Sequence, residues 1–205
     1  MGNGRTAIIF SAGQGHATTV EALRAAGANV EARDDRGWTA LVVAAQARCD
    51  TVVEMLVAAS ADVNARSDDG STALGWTARN CEPGMTRDLL EAGSDPNLST
   101  RDGKSPLMFA SEHAGVDGGD LVRMLLEAGA NVAARDDNRR TALSFAAAAG
   151  AVDAMQHLVE AGAAVDSVAS DGRAHRAAVA IPVLFKAREG LTSASVVIRF
   201  YFSPF

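Results

Sequence analysis

Histidine and cysteine are the side chains of this sequence best suited to hold a metal ion or to act as a nucleophile. The residues in question are His16, His113, His157, His175, Cys49 and Cys81. No histidine stands at metal-ligand spacing from a cysteine or a carboxylate, and two cysteines are too few for a disulfide framework. The motifs Gly-x-Ser-x-Gly and His-Glu-x-x-His do not occur. The sequence therefore predicts no metal site, no cofactor and no enzymatic activity.

Paired carboxylates are a second chemical possibility, because two acidic side chains can divide the roles of general acid and general base. Asp34-Asp35, Asp68-Asp69 and Asp136-Asp137 are such pairs. They recur along the chain beside turn-forming residues, whereas a catalytic pair would occur once. The pairs therefore indicate a repeated, soluble loop rather than an active site.

An internal repeat organises the elements that carry these residues. A Thr-Ala-Leu-like tripeptide returns every 33 residues, with one interval of 36, and a Gly-Ala-Asn-Val-like tetrapeptide keeps the same steps. The tripeptides begin at Thr6, Thr39, Thr72, Ser105 and Thr141, and the tetrapeptides at Gly27, Ser60, Gly93, Gly129 and Gly162. Five units in one register predict an architecture in which successive units stack on one another.

Each unit carries the local signals of two helices. The Thr or Ser is suited to a helix N-cap, where its hydroxyl accepts a hydrogen bond from a free backbone N–H. Pro106 follows one such residue at the first helical position, where a missing N–H costs nothing. A short apolar helix, a turn and a second helix with apolar residues at helical spacing follow. The second helix ends on a Gly, which can adopt the left-handed conformation of a helix end.

With these landmarks the chain resembles the ankyrin family, whose unit has the same length and a Thr-Pro-Leu-His-x-Ala core. The resemblance covers residues 1–173. It implies an all-α ankyrin-repeat solenoid of stacked helix-turn-helix units, with β-hairpin-like loops projecting between the units. The units are expected at about 1–33, 34–66, 67–99, 100–135 and 136–168, followed by the start of a sixth.

Four residues replace glycines of the repeat. Ser60 stands at the end of a second helix, Arg139 stands in a loop turn, and Arg48 and Cys81 stand between the two helices of a unit. The replacement at Ser60 is expected to cost about 1 kcal/mol, and that at Arg139 costs a similar amount if the turn requires a positive φ. For Arg139 the alternative is a loop tip of a different shape.

Two segments depart further from the repeat. The fourth unit carries a three-residue insertion within 112–120, which predicts a longer loop between its helices; a tolerated extension is favoured over a functional one. Residues 174–205 form a degenerate last repeat and an aromatic tail off the pattern. The tail is a divergent cap, a segment that binds a partner or self-associates, or an out-of-frame end. The last two are favoured, because a cap normally presents a polar outer face.

Charge and hydropathy narrow the class of partner. The net charge of −6 argues against nucleic acids and anionic membranes. No apolar run reaches the roughly 20 residues that span a bilayer, and no secretory signal is evident. We expect a cytoplasmic protein that is monomeric unless its tail self-associates.

The resemblance implies a scaffold that binds another protein through its loop tips and the exposed ends of its first helices. The loop tips offer Arg36, Trp38, Asp69, Ser71, Asp102, Lys104, Asn138 and Arg140, and the helix ends offer Gln46, Arg79, Asn80, Glu112 and His113. A second hypothesis makes the repeats the targeting module of a larger protein whose active part is missing.

Trp38 and Arg36 are the strongest candidates for binding hot spots, because Trp and Arg are the residues most enriched there. Packing of Trp38 along the neighbouring loop is an equally supported alternative. One position on the first helix of each unit is instead predicted to be buried in the core. Its aromatic residues are Phe10, Trp76, Phe109 and Phe145.

Overall fold

A computed structural model describes residues 4–113 and 118–165 of the chain. Within these ranges there are ten helices and no strand, two helices to each of five units. The first helices of the units, here called the inner helices, are α1 (Ala7–Gly13), α3 (Ala40–Gln46), α5 (Ala73–Arg79), α7 (Pro106–Glu112) and α9 (Ala142–Ala149). The second or outer helices are α2 (Ala17–Ala25), α4 (Asp50–Ala58), α6 (Pro83–Glu91), α8 (Gly118–Glu127) and α10 (Val152–Glu160).

Side chains at the N-caps start four of the five inner helices. The hydroxyl of Thr72 accepts a hydrogen bond from the backbone N–H of Gly75 at 3.1 Å. The residues that accept the equivalent bond in other units are Thr39, Ser105 and Thr141. Pro106 is the first residue of α7, as predicted. Thr6 occupies the N-cap of α1, but its side chain makes no capping bond, so the expectation was wrong for that helix.

The core is one continuous row of apolar side chains that runs through all five units. Inner helices pack on inner helices of neighbouring units, outer helices pack on outer helices, and each inner helix contacts the outer helix of its own unit. A leucine of each helix in the later units is at most 2% exposed: Leu41, Leu74, Leu107, Leu143, Leu56, Leu89, Leu125 and Leu158. No unit could bury these residues alone, so stacking is the source of stability.

Backbone hydrogen bonds join each loop to the next. The N–H of Asp68 donates to the carbonyl of Arg36 at 3.0 Å, and the next two pairs of loops repeat this bond at 2.7 and 3.1 Å. The Asn64 side chain adds two further links, because it donates to the carbonyl of Gly93 at 3.2 Å and accepts from the N–H of Asp95 at 2.8 Å. The loops are therefore held at a fixed spacing, although the described residues form no strand.

All four replacements of glycine adopt the left-handed backbone that the repeat requires. The φ angles are 62° at Arg48, 60° at Ser60, 56° at Cys81 and 60° at Arg139. No other described non-glycine residue has a positive φ. The N–H of Arg139 donates to the carbonyl of Asp136 at 2.7 Å, which is the bond that Gly37 makes to Asp34 in the second loop. The loop tip at Arg139 therefore keeps its shape and is strained, which decides between the two alternatives.

The segments that depart furthest from the repeat lie largely outside the described residues. Five residues separate α7 from α8, whereas three separate α5 from α6, so the inserted residues do lengthen this connection. Of these, 114–117 are not among the described residues. The same holds for residues from 166 onward, which include the start of the sixth unit and the tail 174–205.

We expect Ser60→Gly to raise the free energy of unfolding by about 0.5–1 kcal/mol, because glycine adopts a positive φ without steric cost. Ala59→Gly is the matched control. Ala59 has a φ of −82°, so glycine there should lower the free energy of unfolding by a similar amount. Urea denaturation followed by circular dichroism measures both changes. A Ser60→Gly chain no more stable than the wild type would show that this helix end is unstrained.

Candidate interaction surface

Cations and aromatic rings alternate along the face that the loops and the inner helices form, here called the inner face. The members of this set, the inner-face ladder, are Arg36, Trp38, Trp76, Arg79, Phe109, Lys104, Phe145 and Arg140. A cation within about 6 Å of a ring centroid is attracted to the electron-rich face of the ring. The ladder runs from the second unit to the fifth without interruption.

Two guanidinium groups enclose a pair of tryptophans at the start of the ladder. Arg36 lies 4.0 Å from the ring centroid of Trp38. The rings of Trp38 and Trp76 meet edge to face, with centroids 5.6 Å apart and planes at 61°. Arg79, at the end of α5, lies 5.4 Å from the Trp76 ring. Side chains from two neighbouring units therefore build one stack, which we call the tryptophan stack.

The same arrangement continues through the fourth and fifth units. Arg79 also lies 5.6 Å from the Phe109 ring. The ammonium of Lys104 lies 5.5 Å from the centroid of Phe109 and 4.9 Å from that of Phe145. Arg140 covers Phe145 from its own loop at 4.5 Å. Both phenylalanines are at most 7% exposed, so these cations seal the edge of the core.

A buried carboxylate fixes the loop that carries Arg36 and Trp38. One oxygen of Asp34 accepts hydrogen bonds from the backbone N–H of Arg36 at 2.9 Å and of Trp38 at 3.0 Å. The other accepts from the guanidinium of Arg5 at 3.4 Å. Burial alone would raise the pKa of Asp34, but the backbone N–H groups and the Arg5 guanidinium outweigh it, so this pKa lies below its ordinary value. Asp34 is therefore a structural anion of the loop.

The cations of the ladder differ in their ionic partners. Lys104 pairs with Glu112 at 2.9 Å, and Arg140 pairs with Asp136 at 2.7 Å. Arg79 forms no ion pair within the part of the chain that the structure describes. The Arg79 guanidinium therefore lies against two aromatic rings and has no carboxylate partner among the described residues.

A depression of about 540 Å³ lies on the inner face beside Arg79. It is lined by residues of three successive loops and by the aromatic residues of α5 and α7. Trp76 and Arg79 form one side of it, and Lys104 and Phe109 form another. The indole N–H of Trp76 is buried with no hydrogen-bond partner among the described residues. The lining of the depression thus combines aromatic rings with charged side chains.

The residues predicted for partner binding differ in exposure. Exposed are Arg36, Gln46, Asp69, Arg79, Asp102, His113 and Asn138. Half-buried are Asn80, Lys104, Glu112 and Arg140. Trp38 and Ser71 are buried at 5% and 8% exposure. Most of the predicted set therefore lies where a partner could reach it.

Two of the residues predicted to contact a partner, Trp38 and Ser71, are buried. Trp38 is covered by Arg36 on one side and meets Trp76 on the other, so it packs against the neighbouring unit, but on helix α5 rather than along the loop that the sequence analysis named. The Ser71 N–H donates to the Asp69 carboxylate at 3.1 Å, which draws the residue into its own turn. Neither side chain is free to act as an exposed contact. The sequence analysis left both alternatives open for Trp38 and did not predict the burial of Ser71.

The predicted core position on the inner helices also needs correction in two units. Phe109 and Phe145 are buried as expected, but Phe10 is 58% exposed and Trp76 is half-buried. In the fifth unit Lys104 of the preceding loop lies over Phe145, whereas no cation of the described residues lies over the Phe10 ring. Small Ser71 stands where Lys104 stands one unit later, and it leaves part of Trp76 open to the depression.

Within residues 4–113 and 118–165, we assign no chemistry to the other reactive groups. Cys49 and Cys81 are free, and burial raises the pKa of each thiol, so both are poor nucleophiles at neutral pH. Carboxylate oxygens of Asp50, Glu54 and Asp88 lie within 4.8 Å of one another on outer helices, which the sequence analysis did not anticipate. We assign no metal to this exposed group, because nothing else in the described residues points to a ligand there.

Comparison with known proteins identifies a family. A family model described as Ankyrin repeats (3 copies) matches residues 1–67 and 74–171. No curated protein matches the chain. Among the described helices, none combines the length and the hydropathy needed to cross a bilayer.

We expect Asp34→Asn to lower the free energy of unfolding at pH 7 by about 1–2 kcal/mol, because it weakens charge-assisted hydrogen bonds. Because the pKa of Asp34 is depressed in the folded state, its carboxylate contributes fully to stability above the pKa of the unfolded chain, about 3.9. This contribution is lost as the pH falls through the pKa of the folded state. The difference between wild type and variant should therefore shrink on acidification below about pH 4. Urea denaturation at a series of pH values measures it.

Asp35→Asn is the control for Asp34→Asn, since the neighbouring Asp35 is exposed. Its effect on the free energy of unfolding should stay within about 0.5 kcal/mol at every pH. Equal effects of the two substitutions would contradict the structural role of Asp34.

Proposed function

Because the chain belongs to the ankyrin-repeat family, whose repeats generally serve as protein–protein interaction modules, we propose that it binds a partner protein through its inner face. The uninterrupted inner-face ladder carries this proposal. Tryptophan and arginine are the side chains most enriched at binding hot spots. Here both tryptophans lie together with three of the arginines on one face of the stack.

Side chains of the ladder are ordered before a partner arrives. The guanidinium of Arg36 rests on Trp38, and that of Arg79 lies between two rings. Immobilising a free arginine on binding costs about 0.5–1.5 kcal/mol, and a side chain that is already stacked loses less. A preorganised surface of this kind favours binding over simple solubility.

Arginines of the outer helices α2 and α8 pair with carboxylates of their own helix. Arg24 pairs with Glu21 of its own helix at 2.9 Å. Arg123 pairs with Asp120 at 3.2 Å and with Glu127 at 2.8 Å, again within one helix. Such local pairs are typical of a solvated helix face and leave little for a partner to bind. The outer row therefore supports the stack, and the inner row offers contacts.

The shape of the depression favours an extended partner segment. Its lining includes Asp69 from the third loop, Asp102 from the fourth and Asp137 from the fifth. A groove that crosses three loops fits a length of chain better than a compact ligand. The depression beside Arg79 would then receive one of the segment's side chains.

We expect the full chain to select peptides from a displayed library of random sequences. The bound peptide should slow amide hydrogen exchange in the loops and in α5 and α7, because these elements line the inner face. Exchange in α4 and α8 should not change. Protection confined to outer helices, or a selection that enriches no peptide, would contradict the proposal.

Gln46→Trp is a steric variant that reports on the same surface, since Gln46 is exposed at the end of α3. It should weaken binding of the selected peptides by about tenfold. Glu54→Trp, on the exposed side of α4, is the matched control and should leave affinity unchanged. Trp38 is unsuitable for this purpose, because removing a buried tryptophan costs about 3–5 kcal/mol and would disturb the loops themselves.

A further inference from the structure

Arg79 presents an unmatched guanidinium to the depression. The group lies 5.4 Å from the ring of Trp76 and 5.6 Å from that of Phe109, and the residue is exposed. No carboxylate of the described residues pairs with it. A guanidinium held by aromatic rings keeps its N–H edge available, and that edge matches the two oxygens of a carboxylate.

Arg36 is in a similar position at the other end of the tryptophan stack. Its side chain is 56% exposed and lies 4.0 Å from Trp38. The nearest carboxylate is Asp34 at 3.9 Å, which is beyond hydrogen-bond distance. That carboxylate already accepts hydrogen bonds from two backbone N–H groups and from Arg5. The N–H groups of the Arg36 side chain therefore remain open to a ligand.

The fourth and fifth units show what a matched ladder looks like. Lys104 and Arg140 also lie over aromatic rings, but Glu112 and Asp136 neutralise them. The ladder is therefore divided into a neutral half and a positive half. The positive half coincides with the tryptophan stack.

Acidic residues that line the depression form no ion pair with Arg36 or Arg79 among the described residues. The Asp69 carboxylate accepts from the Ser67 hydroxyl at 2.5 Å and from the Ser71 N–H at 3.1 Å, and Asp102 accepts from the Thr100 hydroxyl at 2.5 Å. These bonds bind each carboxylate to its own turn. Burial opposes the ionisation of Asp69, but the bonds from Ser67 and Ser71 keep its pKa below the ordinary value. Asp69 and Asp102 are thus held by their own turns, and neither they nor Asp137 form an ion pair with Arg36 or Arg79.

From this juxtaposition we propose that the partner segment is acidic, and that Arg36 and Arg79 bind two of its carboxylates on either side of the tryptophan pair. The proposal rests on the proposed function and specifies the chemistry of the partner. An extended segment with two Asp or Glu residues a few positions apart can reach both arginines. An apolar side chain between them would meet the half-buried Trp76 in the depression.

The composition of the peptides selected by the full chain is the first test. Peptides that bind the inner face should be enriched in Asp and Glu relative to the unselected library. Fluorescence anisotropy with a selected acidic peptide then measures the contribution of each arginine. We expect Arg79→Gln and Arg36→Gln each to weaken binding by about tenfold. Arg79→Lys keeps the charge without the planar edge and should fall between wild type and Arg79→Gln.

Arg87→Gln is the matched control, because Arg87 is an exposed arginine on the outer helix α6. It should leave the affinity unchanged. The peptide offers a second measurement that needs no altered protein: the same peptide with Gln for Glu and Asn for Asp should lose binding to the wild type. The affinity of that neutral peptide should not change with Arg79→Gln. This result would show that the effect of the substitution depends on the carboxylates of the peptide.

The outcomes separate this inference from the proposed function. Selected peptides that protect the inner face but show no acidic enrichment would overturn the inference and leave the binding surface in place. The same holds if Arg79→Gln binds the acidic peptide as tightly as the wild type does. Failure of the proposed function would show itself earlier, as a selection without binders or as protection of the outer helices alone.

Discussion

Burial of one apolar stripe between neighbouring units is the constraint on which the rest of this structure depends. A single helix pair of this kind has two apolar sides and cannot cover both. Leu74 of α5 is only 1% exposed because α3 and α7 lie on either side of its helix. Every unit therefore repeats the same residues at the same places, since each must fit the unit before it and the unit after it. This requirement accounts for the fixed period and for the small number of core residue types.

The inner-face ladder is a consequence of the same stacking. Loops that are hydrogen-bonded to their neighbours at a constant spacing bring corresponding side chains of successive units into line. A loop side chain can therefore reach the inner helix of the next unit, as Trp38 reaches Trp76 and as Lys104 reaches Phe145 in addition to Phe109 of its own unit. Rings that would leave the core edge open are covered by cations, which bring charge to a face built on an apolar core. A chain with a net charge of −6 thereby presents two arginines, Arg36 and Arg79, beside its pair of tryptophans.

Much of the fold could be predicted from the sequence, because its signals act within a few residues. Thr72 caps α5 through the backbone three positions on, and Pro106 begins α7 for reasons internal to that helix. The four positions that lack the expected glycine were identified from the repeat alone, and all have a positive φ. The candidate site was predicted less well. Its location on the loops and helix ends followed from the family resemblance, but the exposure of Trp38, Ser71, Trp76 and Phe10 did not.

The sequence by itself determined the period, the helices, their caps and the strained backbone positions, since each depends on local chemistry that the repeat displays. The tertiary structure decided which side chains are covered and which charges are matched. Trp38 is buried by Arg36 and by a ring 38 positions further along the chain, and Lys104 is neutralised by Glu112 while Arg79 is left unmatched. These outcomes depend on the distances between atoms of neighbouring loops and helices. A pattern of residue types predicts that two units are neighbours. Which of their side chains touch is decided only when the units pack against one another.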